Sequence, residues 1–386
     1  MFLNVTKRRN PALIHTGLSL HQSGAIPPNT YVIDVDNLKK NTRKLASAAQ
    51  QNDMELYFMT KQLGRIPKVA EIIAANGIKK AVAVDFDEGK VLADHGITIG
   101  NIGHLVQPGK NQWYEVLSWK PEVVTIFSFE RAKQLSLAAE SVGVKQDILL
   151  KVTGPNDKIY QGQEGGIPIE KLAANIDHIR DLPGISIVGV TSFPNLQLAE
   201  NKTKMVPTAN MDTLLYAVKI LEAKGIFVKQ VNGPSGTSTE TIPFLRNKGV
   251  THSEPGHGLT GTTPIHVYKD LPEKPAIIYV SEISHESNGN YQVIAGGYYG
   301  RSKMEGCLVG HSKGNILDRY TNAQQNNPEV IDYYGMIERP SNFSIEIGDT
   351  AIFAFRTQIF VTRAHVALVQ GIQSGDPKVI HLERKW

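Results

Sequence analysis

The chain has 386 residues, 41% hydrophobic and 20% charged; at about 150 residues per domain it has room for two or three domains, and this balance excludes a mainly disordered or collagen-like chain. Its 41 Lys and Arg against 37 Asp and Glu leave +4, a surplus too small and too evenly spread for a nucleic-acid partner. One cysteine, Cys307, excludes an intramolecular disulfide framework and a cysteine-based zinc cluster, and no apolar run approaches the roughly 18 residues of a membrane span.

The basic triplet Lys7, Arg8 and Arg9 follows Met1–Val5, the wrong order and length for a secretory signal, so a soluble cytoplasmic protein with no membrane partner is expected. Tyr31–Asp34 reads as a lone strand ahead of the barrel that could pair into the β domain, followed by a helix from about Leu38. A strand at Leu56–Thr60 comes next. A recurrent pattern then begins: a helix-like segment ends in Gly and an apolar strand-like run follows at once. The runs end at Val84, Val106, Val152, Thr191, Asn232 and Glu254, with a further strand at Val123–Phe127. Gly suits a helix end because it enters the left-handed conformation without a Cβ clash. Short continuous apolar runs fit strands buried on both faces, and repeated helix–strand units predict parallel pairing. Eight such strands within about 200 residues predict a (β/α)₈ barrel of the TIM type. The absence of GxGxxG after the first strand disfavours an open, doubly wound sheet. After about Thr262, Pro264, Pro272 and Pro275 mark a linker, and alternating runs such as AIIYVSEIS and TAIFAFRTQIFVT predict an antiparallel β domain.

Reactive groups in a barrel sit at the C-terminal strand ends. Lys61 directly follows LYFMT, where a lysine serves either Schiff-base formation or anion binding, unless it is simply solvated. Asn232-Gly233-Pro234-Ser235-Gly236-Thr237-Ser238 follows the seventh strand and leads into a helix. It is either an ordinary capped turn or an anion cradle of backbone N–H groups. Glu254-Pro255-Gly256-His257-Gly258 ends the eighth strand with a carboxylate. Lysine, cradle and carboxylate in this order suggest pyridoxal phosphate: aldehyde on the lysine, phosphate in the cradle, ring nitrogen at the carboxylate. His104 and Lys151 end two more strands and could line the same mouth. No HExxH or other metal constellation is present.

At YVIDVDNLKKN (31–41), YFMTKQLGR (57–65), GHLVQ (103–107), LLKV (149–152), NGPSGTS (232–238), THSEPGHGLTG (251–261), GGYYGR (296–301) and FRTQIFVTR (355–363) the chain resembles the fold-type III pyridoxal phosphate enzymes of the alanine racemase-like family. The resemblance is strongest to the YhfX-like subgroup of amino-acid racemase relatives and covers nearly the whole chain. It implies a cofactor-binding barrel over residues 30–262, with residues 1–29 and 263–386 in a β-rich domain. It also implies a homodimer with shared active sites and an amino-acid substrate. Lys61 matches the cofactor lysine, held as an aldimine, which doubles as one catalytic base. Ser235, Gly236 and Thr237 match the phosphate loop, and Gly256 and His257 a second phosphate-holding stretch. Arg65 stands where alanine racemase has a phosphate-touching tyrosine.

Three departures bear on the reaction. Glu254 replaces an arginine at the pyridine nitrogen and should favour the protonated ring; related decarboxylases also carry Glu-Pro-Gly there. Ser192-Phe193 stands where relatives often have a histidine. The tyrosine base on the opposite face falls at Tyr298 or Tyr299, each of which could instead be packing in the β domain. Arg356, with Arg363, could bind a substrate carboxylate, and Cys307 reads as a small buried hydrophobe. The expected activity is racemisation or epimerisation at the α-carbon. A decarboxylase on the same scaffold, a cofactor-binding homeostasis protein without turnover, and a phosphate-sugar barrel enzyme are the alternatives.

Overall fold

The computed structural model describes residues 1–300, 302, 304–327 and 329–384; Arg301, which closes the GGYYGR motif, lies outside them. The chain divides into two compact units, one of Met1–Asn41, Lys61–Lys68 and His257–Trp386 and the other of Thr42–Thr60 and Val69–Gly256. Among the described residues no helix is long and apolar enough to cross a membrane.

The chain enters through two helices, α1 (Phe2–Arg9) and α2 (Pro11–Gln22), a strand β1 (Thr30–Asp34) and a helix α3 (Val35–Gln51). The second unit then carries the barrel strands β2 (Glu55–Phe58), β3 (Lys80–Ala83), β4 (Thr98–Ile102), β5 (Val123–Ile126), β6 (Gln146–Thr153), β7 (Ile185–Thr191), β8 (Gln230–Asn232) and β9 (His252–Ser253). Every pairing is parallel. β2 to β5 follow in sequence, β5 pairs β6, and β6, β7, β8 and β9 lead back to β2, so the sheet closes. All eight expected strands are present. Five of the six helix-ending glycines, Gly77, Gly96, Gly143, Gly225 and Gly249, have φ between 72° and 117°. Gly184 does not; it is small because a Cβ there would sit 2.2 Å from the Ser136 carbonyl oxygen. Tyr57, Met59, Val82, Val123, Leu149 and Val188 form one buried apolar cluster of the barrel.

The first unit holds β10 (Ile277–Ser287), β11 (Asn290–Ile294), β12 (Gly306–Gly310), β13 (Tyr320–Gln324), β14 (Tyr334–Ile337), β15 (Thr350–Phe353), β16 (His365–Gln370) and β17 (Lys378–Glu383). Strands β10 to β15 pair antiparallel in a closed ring. β1 extends it, antiparallel to β10 and parallel to β16.

Two expected boundaries need correction. Residues 1–29, expected to be β-rich, are largely helical. Asn10-Pro11 is a helix start, with Pro at the first turn where its missing N–H costs nothing. Leu13, Ile14 and Leu18 of α2 share one face and pack on Val32, Ile278, Val280 and Ile352. Residues 30–41, bounded with the barrel, fall in the β unit, and the lone strand pairs into the β domain as its reading allowed. All of β1 is buried, so it needs partners on both edges, and β10 and β16 supply them. Asp34 then stops the strand: its Oδ1 accepts from the Asn37 N–H at 3.0 Å and caps α3.

Candidate active site

The barrel unit gathers polar side chains at its C-terminal strand ends. Glu254, two residues past β9's Ser253 neighbour His252, is 6% exposed. Its Oε1 accepts from Asn101 Nδ2 at 3.1 Å and from Asn232 Nδ2 at 3.0 Å. Asn101 ends β4's inward face, Asn232 ends β8, and Thr125 Oγ1 of β5 donates to Asn101 Oδ1 at 2.8 Å. The side-chain oxygens Thr191 Oγ1, Ser192 Oγ and Asn232 Oδ1 are buried without a hydrogen-bond partner among the described residues. Buried polar atoms rarely go unsatisfied, so this cluster points to a bound polar group.

The loop after β8 was expected to be either a capped turn or an anion cradle. Its hydroxyls are committed elsewhere: Ser235 Oγ donates to the Leu196 carbonyl at 2.8 Å, and Thr237 Oγ1 lies 2.7 Å from Ser253 Oγ. The N–H groups of Ser235, Gly236 and Thr237 find no backbone acceptor among the described residues. Ser235 has φ 132° and Gly236 φ 58°, a left-handed excursion of the kind found in backbone anion nests.

His104, 1% exposed, meets Phe193 edge-on at 6.0 Å, and Phe193 lies 5.9 Å from Tyr160. An aromatic ring thus follows the strand ending at Thr191, but from Phe193 and not from residue 192. Lys151, at 4% exposure, lies 4.3 Å over the Phe127 ring.

Burial lowers the Lys151 ammonium to about 8, against 10.5 for an unperturbed lysine. The unfolded chain therefore binds more protons than the folded one between those values, and this residue makes stability rise with pH across that window. Lys151→Met is expected to stabilise the protein by about 3 kcal/mol at pH 7 and by almost nothing above pH 10.5. Urea unfolding midpoints at both pH values check this; equal gains at the two would contradict it.

The β unit holds the remaining residues. Lys61 opens the single turn Lys61–Leu63. Thr357 Oγ1 donates to the Gln62 carbonyl at 2.8 Å, tying that turn to the FRTQ segment. Arg65, at φ 60°, lays its guanidinium 4.6 Å from the centre of the Phe360 ring. His257 Nε2 lies 3.1 Å from the Thr357 carbonyl. A carbonyl only accepts, so Nε2 carries the hydrogen and Nδ1 is left as an acceptor. Burial, then the positive charges of Arg356 and Lys61, hold the His257 imidazole well below its ordinary value, so it is neutral. Arg356 is half-buried. Arg363 pairs with Asp332 at 3.1 Å.

Tyr298 sits among Tyr279, Phe353 and Phe355, with ring centroids 5.5 to 6.5 Å apart. Its hydroxyl is buried without a partner among the described residues, and burial raises the phenol well above its ordinary value. Tyr299 is half-buried, and its carbonyl accepts from Gln325 Nε2 at 2.9 Å. Cys307 is fully buried and its thiol is pushed up by burial. Among the described residues no group of three His, Cys, Asp or Glu could hold a metal ion. Sequence reasoning missed Asn101, Thr125 and Thr357; for the first two, a polar residue within the apolar runs TIGNI and VVTIF was the available signal.

Residues 33–264 match the alanine racemase N-terminal domain, and residues 278–379 match the YhfX-like C-terminal domain. The chain belongs to the YhfX-like branch of the alanine racemase-fold family. This YhfX-like chain is 40% identical to the uncharacterized protein YhfX of Escherichia coli (strain K12) over 380 residues, 98% of this chain and 97% of that one. Solved structures share its fold at lower identity. The alanine racemase of Clostridium difficile 630 in complex with cycloserine is 18% identical, covering 93% and 99% of the two chains, with a TM-score of 0.67. The D-threo-3-hydroxyaspartate dehydratase of Delftia sp. HT23 is 16% identical, covering 93% and 97%, with a TM-score of 0.68. The D-threonine aldolase of Filomicrobium marinum is 14% identical, covering 93% and 95%, with a TM-score of 0.66.

Members of this family bind pyridoxal phosphate. The YhfX-like barrel offers what that molecule requires: unengaged N–H groups for a phosphate, buried hydroxyls without partners, and a carboxylate held by two amides.

Proposed function

We propose that the chain is a pyridoxal phosphate-dependent isomerase, acting as a cytoplasmic homodimer, that racemises or epimerises an amino acid at its α-carbon. The observation that carries this reading is the pair of receptors in one barrel: the N–H nest at Ser235–Thr237 and the amide-held carboxylate of Glu254. Bound there, the cofactor supplies an electron sink for the α-carbon. Ser235, Gly236, Thr237 and Gly256 would hold its phosphate through their N–H groups, with Arg65 and His257 as further phosphate-side residues. Glu254 would accept the ring N–H, and His104 and Lys151 would complete the cofactor's surroundings. Lys61 Nζ would hold the aldehyde carbon and, once displaced by the substrate amine, take or return the α-proton on one face. Arg356 would bind the substrate carboxylate.

The opposite face needs a second base, drawn from the partner subunit. Tyr299 suits this role better than Tyr298, whose hydroxyl is sealed among aromatic rings and resists ionisation. Tyr299→Phe is expected to slow α-proton exchange by about 10²- to 10³-fold, while Tyr298→Phe leaves it nearly unchanged. Exchange is read by NMR as deuterium entering the α-carbon in deuterium oxide; the reverse ranking would transfer the role to Tyr298.

One observation favours a second reading. Glu254-Pro255-Gly256 also suits a decarboxylase. A panel of amino acids incubated with the cofactor-loaded protein separates the two: loss of optical rotation without gas supports the isomerase, and carbon dioxide release supports the decarboxylase.

A further inference from the structure

Thr125, Asn101, Asn232 and Glu254 come from β5, β4, β8 and the residue following β9, and none is more than 6% exposed. Because Thr125 donates to the Asn101 oxygen, the Asn101 amide must turn its nitrogen toward Glu254. Asn232 aims its own amide nitrogen at the same carboxyl oxygen. Two N–H donors at one oxygen stabilise the ionised carboxylate and leave that oxygen no place for a proton. Two titratable side chains near it, His252 and Tyr57, stay uncharged at neutral pH. Burial drops His252 to about 4, and burial also keeps the Tyr57 phenol protonated.

We propose that Asn101, oriented by Thr125, and Asn232 are positioning residues that keep Glu254 ionised, so that the proton between Glu254 and the cofactor's ring nitrogen stays on the nitrogen. The proposal rests on the reading above that the barrel binds pyridoxal phosphate with its ring nitrogen at Glu254. In a dry site a carboxylate–pyridinium pair and a carboxylic acid–pyridine pair lie close in free energy, since desolvation opposes the charged pair. Donors to the carboxylate tip that balance toward charge separation. A protonated ring withdraws electrons from the α-carbon more strongly, so two amides and a hydroxyl that touch no reacting atom would set the strength of the electron sink.

The test loads the full-length protein with pyridoxal phosphate carrying nitrogen-15 in its ring and reads the NMR shift of that nitrogen, which separates protonated from unprotonated rings. The wild-type protein is expected to give the protonated signal. The Asn101→Ala, Asn232→Ala double variant is expected to lose it for the unprotonated one, as Glu254→Gln should. Thr125→Val, which preserves side-chain shape and serves if the double variant does not fold, is expected to shift the signal part of the way. Thr125→Ser, which keeps the hydroxyl, is expected to restore it. An unchanged protonated signal in the double variant and in Thr125→Val would overturn this proposal alone, as would an unprotonated wild type. Failure of the wild-type protein to take up the labelled cofactor would overturn the cofactor reading and this proposal together. A purely packing role predicts weaker cofactor retention with no change in shift.

Discussion

Lys61→Ala is expected to abolish covalent capture of pyridoxal phosphate and to lower turnover by about 10³-fold or more, because in the proposed function one side chain both anchors the aldehyde and moves the α-proton. Lys61 opens a turn whose carbonyl at Gln62 is held by Thr357. Absorbance before and after borohydride, followed by peptide mapping, checks the prediction: the wild-type protein should show a visible band that borohydride fixes onto Lys61. A band retained in Lys61→Ala would sink the assignment. The phosphate-sugar alternative would lead if reconstituted wild-type protein formed no such band.

Gly189→Ala should have the largest effect on stability, about 3 to 5 kcal/mol. Gly189 lies in β7 and is in register with Leu149 of β6 on one side and Gln230 of β8 on the other. A Cβ on it would stand 1.8 Å from the Gln230 carbonyl oxygen and 2.7 Å from its carbonyl carbon. These are backbone atoms inside a closed ladder, so relief requires strand separation and not a rotamer change. Urea unfolding reads the loss as a lower midpoint; a midpoint within error of wild type would mean that the β7–β8 seam yields without cost.

The barrel was legible in the sequence because its strands are buried on both faces, which turns them into continuous apolar runs, and because glycines close the preceding helices. The loop at 232–238 and Glu254 could be placed for a related reason: both follow barrel strands, and barrel topology sends strand ends to one rim. Asn101 and Thr125 could not. A polar residue inside a short strand is written identically whether it meets solvent or a buried carboxylate, and only closure of the sheet decides between them. The pairing of Arg363 with Asp332 was hidden by a separation of 31 positions. The pairing of β1 into the β domain could be anticipated, but not which strands flank it. Local pattern announces a strand, but its neighbours β10 and β16 are read more than two hundred residues later.

The placement of β1 governs the order in which the protein can be completed on the ribosome. Thr30–Asp34 emerges early and is flanked by helices, yet both strands that pair with it, Ile277–Ser287 and His365–Gln370, are synthesised after the whole barrel. The barrel's own contacts lie between Thr42 and Gly256 and are available sooner. The nascent chain must therefore carry a buried-type strand with two open edges through most of translation, a state that invites pairing with other chains. Its sheet is a late, high-contact-order event, and a fragment ending before residue 365 leaves one edge of β1 bare.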